Sequence, residues 1–119
     1  MADNHSILNE IKKMLGPDDD YDHFDVDIIV HINSAFNALK QLGVGPERGF
    51  YITGATETWD DFWQGTHEVP MTKYYIWARV KLSFDPPSSS FAVEALKEQL
   101  REYEWRANVE VETPCFLGS

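Results

Sequence analysis

Ten positions, Asp18 to Asp27, hold six aspartates, the densest set of potential ligands in the chain. Asp18, Asp20 and Asp22 imitate the first three ligand positions of a helix–loop–helix calcium loop. The sixth position, where a glycine makes the sharp turn, is His23, and the twelfth, which needs a bidentate glutamate, is Ile29. The turn and the strongest ligand are both missing, so the cluster reads as an acidic loop that leads into a helix. Gly43-Val-Gly45-Pro-Glu-Arg-Gly49 resembles a dinucleotide fingerprint, but its spacing is wrong by one and it follows a helical pattern rather than a strand. A helix stop and a turn account for it.

The four histidines, His5, His23, His31 and His67, share no ligand spacing; Ala35 and Asp27 stand four residues either side of His31. Asp60–Asp61 and Glu102–Glu104 are acidic pairs of the kind that can act as acid and base, but most carboxylates in a chain of net −10 are surface charges, and no Ser/His/Asp or Cys/His arrangement has supporting context. Cys115 is the only cysteine, which rules out an internal disulfide and a cysteine metal cage. No catalytic residue, metal site or cofactor is expected.

The elements that would position such residues are helical. Ser6 is placed as an N-cap before the apolar stripe Ile7, Leu8, Ile11, Met14, Leu15, and Gly16-Pro17 ends it. A second helix is expected from Asp25 as N-cap, with Phe24 and Ile29 as a hydrophobic staple, carrying Ile28, Ile32, Ala35, Leu39 and Leu42 to Gly43. The helical period is then lost to Gly65. Phe50-Tyr-Ile-Thr53 predicts a small hairpin-like extended loop, and Thr58 with Asp61 predicts a capping box opening a short helix from Trp59 to Trp63. Pro70 suits the first turn of a fourth helix running to Phe84, whose aromatics on nearly every side predict central burial.

Phe84-Asp85-Pro86-Pro87-Ser88-Ser89-Ser90 is a hinge, because the prolines cannot continue a helix and the serines can cap the next. The fifth helix then places Val93, Leu96, Leu100, Tyr103 and Ala107 on one face. After Asn108, Val109-Glu-Val-Glu-Thr113 alternates and Pro114 follows, which predicts an extended C-terminal tail. The expected fold is therefore all-α, with four main helices and one short one. Residues 1–108 form one domain, and 109–119 leave it.

Five short strings carry a resemblance in order: Ile7-Leu-Asn-Glu-Ile-Lys-Lys, His23-Phe-Asp-Val-Asp-Ile-Ile, Gln41-Leu-Gly-Val-Gly-Pro46, Thr58-Trp-Asp-Asp-Phe62, and Val80-Lys-Leu-Ser-Phe-Asp-Pro-Pro-Ser-Ser-Ser90 with its continuation through Glu104-Trp-Arg-Ala-Asn108. Over roughly residues 6 to 108 the chain resembles the head–tail connector (adaptor) proteins of siphovirus-like tailed phages. That resemblance implies a mostly helical structural protein of the virion, located at the head–tail interface and made in the bacterial cytoplasm. It implies a homo-oligomeric ring, twelve-fold by that likeness, stacked on the portal protein. A stopper or tail-completion protein would lie below it, and no catalytic residues are carried over.

With 20 acidic and 10 basic residues, net −10, the chain is ill suited to gripping phosphates through counterion release. DNA passing through such a ring would be repelled rather than bound. The same charge fits a monomeric acidic DNA mimic that inhibits a host nucleic-acid-binding protein, the competing reading. No run of about 18 apolar residues is present, and Met1 to Ser6 lacks a signal-peptide pattern, so no membrane is expected.

Three residue sets are candidates for contact. Val109, Val111, Thr113, Phe116 and Leu117 form a tail expected to dock on portal by adding a strand. Tyr51, Trp59, Phe62 and Trp63 lie in the irregular middle, where core packing and a partner-facing loop compete. Acidic Asp18, Asp19 and Asp20 against basic Lys73, Arg79 and Lys81 are candidates for contact between subunits.

Overall fold

The computed structural model describes residues 6–16, 24–66 and 68–117, with side chains as far as Val109. Five helices run in chain order: α1 (Ile7–Leu15), α2 (Asp25–Leu42), α3 (Trp59–Trp63), α4 (Thr72–Phe84) and α5 (Ser90–Leu117). No strand occurs among the described residues, so the fold is all-α, with four main helices and one short one.

Local chemistry sets the starts. The Ser6 hydroxyl accepts the Asn9 amide at 3.3 Å, and Thr58 and Asp61 exchange the two bonds of a capping box at 3.2 and 3.0 Å. These two N-caps sit side by side through an antiparallel bridge, with the Ile7 amide donating to the Glu57 carbonyl at 3.1 Å. α2 departs from expectation. Phe24 occupies the N-cap without a side-chain bond, and Asp25 is the first helical residue. Its carboxylate is drawn to Lys12 of α1 at 2.8 Å, a long-range ion pair taking the place of a local cap. Pro70 likewise precedes α4 rather than opening it, and Met71 is the N-cap, at φ 70°.

The core lies where α1, α2 and α4 meet, filled by Ile7, Ile11, Ile28, Ile32, Phe36, Leu39, Ile76 and Val80. α4 buries Thr72, Tyr75, Ile76, Ala78 and Val80, so it is covered on more than one side as its aromatic pattern predicts.

Of the hairpin or extended loop expected between α2 and α3, the structure has the loop, without a strand. Asn33 on α2 serves instead as a strand would: its amide donates to the Ile52 carbonyl at 2.9 Å and accepts the Ile52 amide at 2.7 Å. One side chain satisfies both backbone groups, so no second strand is needed. Glu57 gathers the Thr53 amide and hydroxyl, each at 2.9 Å, and the Gly54 amide at 3.4 Å. Burial pushes the Glu57 carboxyl up, but these hydrogen bonds outweigh it and hold the group below its ordinary value.

The hinge behaves as read. The Asp85 amide ends α4 on the Lys81 carbonyl, and Ser89 accepts the Ala92 amide at 3.2 Å to start α5. The predicted extended tail is corrected, because α5 continues without a break to Leu117. Alternation over five residues is too short to outweigh a helix already nucleated, in which each further residue adds one backbone bond. Pro114 removes a ladder donor in the last turn without ending the helix.

Candidate interaction surfaces

A buried polar seam fixes α5 on α4. Tyr75 and Tyr103 stack with ring centroids 4.4 Å apart. The Tyr103 hydroxyl pairs with the Thr72 hydroxyl at 2.6 Å, and Thr72 donates to the Val69 carbonyl at 2.7 Å. The Tyr75 hydroxyl donates to Glu104 at 2.8 Å, with Arg79 alongside, 4.0 Å from the carboxylate. Burial pushes the Tyr103 phenol up to about 12, only partly opposed by its bond to Thr72. Burial first, then the Glu104 carboxylate, raises Tyr75 further. Both phenols therefore stay neutral and hold a joint.

The middle aromatics belong to the core. Trp59, Phe62 and Trp63 are all buried, and Phe62 packs against Phe36, Phe50 and Trp63 at centroid distances of 4.8, 5.5 and 4.7 Å. The Trp59 indole donates to Glu10 at 3.0 Å, and Lys73 caps the same cluster, 2.8 Å from Glu10 and 5.3 Å above the Trp59 ring. Of the four residues expected in a partner-facing loop, only Tyr51 is exposed. Five residues of helix cannot reveal which way they face, which is why sequence left the choice open.

The basic residues of α4 are engaged within the subunit: Lys73 with Glu10, Arg79 with Tyr75 and Glu104, Lys81 with Asp85 at 3.3 Å. Asp18, Asp19 and Asp20, the acidic half of that charge pairing, lie outside the described residues. Of the tail set, Val109 is partly exposed and the others lie on a stretch described as helix only.

Two other surfaces are open. On α2, the outward positions Val26, Val30, Ser34, Asn37 and Gln41 form a lane without a charge, and Val26 and Val30 are 75% and 59% exposed. The spacing of four, four, three and four residues was visible in the sequence. It is the stripe opposite the core, and its polar half, Ser34, Asn37 and Gln41, gives it no hydrophobic period. Separately, the turn before α4 and the second half of α5 enclose a groove of about 410 Å³. Met71, Tyr74, Trp105 and Val109 line it, with Met71 and Trp105 65% and 67% exposed. Glu102 and Arg106, also in its wall, neutralise each other at 3.0 Å. Among the described residues no group of three potential ligands could hold a metal, and no helix is long and apolar enough to cross a membrane.

A buried polar joint and two exposed surfaces without net charge, with no metal-ligand group among the described residues, suit an assembly part. The family model described as phage connector protein matches residues 7–114. The chain belongs to the phage connector protein family. The match passes Asn108 and takes in most of the C-terminal stretch that the short motifs left out. Nothing matches among the curated proteins or the solved structures. Membership makes this connector a virion component of a structural, non-enzymatic family.

Proposed function

We propose that this connector forms a homo-oligomeric ring on the portal vertex and links the phage head to the tail, with DNA passing through without specific binding. The family match over residues 7–114 carries the reading. Closed rings need two unlike, complementary patches on each subunit, and the α2 lane and the α4–α5 groove are unlike in shape and share no residue. Net charge of −10 supports a channel wall that repels DNA phosphates. The C-terminal end of α5 is the part offered to portal, as a helical arm rather than as an added strand. A stopper or tail-completion protein is the partner on the far side.

The competing reading, a monomeric DNA mimic, accounts for the charge but not for the family match. Light scattering of the purified protein with and without its portal separates them. A mass that rises from subunit to ring on adding portal is expected. A chain that stays monomeric beside portal and binds a host DNA-binding protein would favour the mimic.

A further inference from the structure

We propose that the uncharged lane of α2 in one subunit seats in the α4–α5 groove of a second copy, and that this pairing is the contact between neighbours. The inference rests on the ring reading and names the surfaces that close it.

The charge pattern selects the occupant. Two copies of a chain at net −10 repel, and that repulsion is least where the facing surfaces carry no net charge. The lane residues Val26, Val30, Ser34, Asn37 and Gln41 carry no charge and the exposed Asp27 and Lys40 that flank them are opposite in sign, while in the groove Glu102 and Arg106 are already paired. A basic partner or one rich in lysine would be drawn to the acidic faces instead.

Shape agrees with charge. Val26, Val30 and Ser34 form a convex ridge about 12 Å long at 1.5 Å per residue, and the α5 side of the groove, from Gln99 to Val109, spans about 15 Å. A ridge led by Val26 and Val30 entering a slot walled by Met, Tyr and Trp meets the flexible and aromatic surface that interface centres favour. The groove also stores strain. Met71 holds φ 70°, a left-handed conformation unusual for a residue that is not glycine, while its side chain stays open to solvent. Ridge and groove share no residue, so the pairing can repeat from copy to copy around a ring; made reciprocally within one pair it would stop at a dimer, and a covalent ladder longer than two subunits is the outcome the ring requires.

Engineered cysteines test this in the full chain, with Cys115→Ser as background and portal present to drive assembly. Val30→Cys with Trp105→Cys in one chain should yield a ladder of covalent multimers on oxidation. Either cysteine alone should yield none. Alongside, Val30→Asp and Trp105→Glu change only exposed positions, so circular dichroism should match the parent, while each raises the concentration needed for assembly at least about 100-fold by burying an unpaired carboxylate. Rings that form and oxidise without a ladder overturn the pairing and leave the ring reading standing. Dimers from Val30→Cys alone overturn it in favour of a two-fold contact. Normal rings from Val30→Asp that no longer hold portal assign the ridge to portal and overturn it as well. A parent chain that never forms a closed oligomer with portal removes the ring reading, and this pairing with it.

Discussion

α4 and α5 are neighbours in sequence and are held in opposite ways. α4 has buried residues on several sides and meets α1, α2 and α5, so its position follows from the core as a whole. α5 is twice as long, 28 residues against 13, yet among its described side chains only Leu96, Tyr103 and Ala107 are buried, Ala92, Val93, Leu100 and Glu104 are half-buried, and its outer face carries three exposed ion pairs. One helix is fixed by packing from several directions, the other by a hinge at one end and a tyrosine seam farther along. Changes in the first region should therefore cost the fold, and changes in the second should cost assembly.

The largest effect is expected from Phe62→Ala, which empties the centre of the aromatic cluster. A loss of about 3–5 kcal/mol, read by chemical denaturation, would take a large share of an ordinary domain's stability. Gly45 allows the same ring its place. At φ 87° a Cβ there would stand 2.6 Å from two Phe62 carbons, so Gly45→Ala should destabilise through the same cluster. Next comes Asn33→Ala, which leaves the Ile52 amide and carbonyl without their partner and should cost about 1–3 kcal/mol. A loss of a few tenths would mean that water replaces the side chain and that the loop is not held as described.

The seam should respond more weakly, and to pH. Burial favours the neutral phenol of Tyr103 in the folded state, so its stabilisation is complete below its ordinary value of 10 and is lost as pH rises from there through about 12. Tyr75 acts in the same direction. Tyr103→Phe should cost about 1 kcal/mol at neutral pH and shrink the alkaline fall in melting temperature between pH 9 and pH 11 (both values about 1 unit either side of the phenol's ordinary pKa). An unchanged alkaline slope would remove Tyr103 from the joint. The smallest effect on stability is expected from replacing Pro86 and Pro87 with alanine. Helicity should hold while the angle between α4 and α5 drifts, giving misassembled rings by electron microscopy. Normal assembly by that double variant would erase the distinction between core and arm.

Local signals account for what could be read in the sequence. Ser6, the Thr58–Asp61 capping box, Gly43 and the Pro86–Pro87 hinge act on residues within a turn of themselves, and each lies where its chemistry puts it. The helical faces of α1, α2 and α5 followed from their period, except that Met14 falls at the edge of its stripe and is partly exposed. What escaped depends on distance. Asn33 meets Ile52 across 19 residues, Asp25 turns from capping to Lys12, and Trp59 finds Glu10 from 49 residues away. Val109 to Thr113 misled because an alternation so short fits a helix as well as a strand. The interaction surfaces were half legible: the neutral stripe of α2 is written in the chain, whereas the groove exists only once Met71 and Trp105 are brought together by the fold.

The central claim is a structural link between head and tail, and it is tested most directly by imaging particles from a phage that carries a stop codon early in this gene. Electron micrographs should show filled or filling heads and complete tails lying apart, with joined virions restored when the protein is supplied from a plasmid. Joined, infectious particles assembled without the protein would contradict the account.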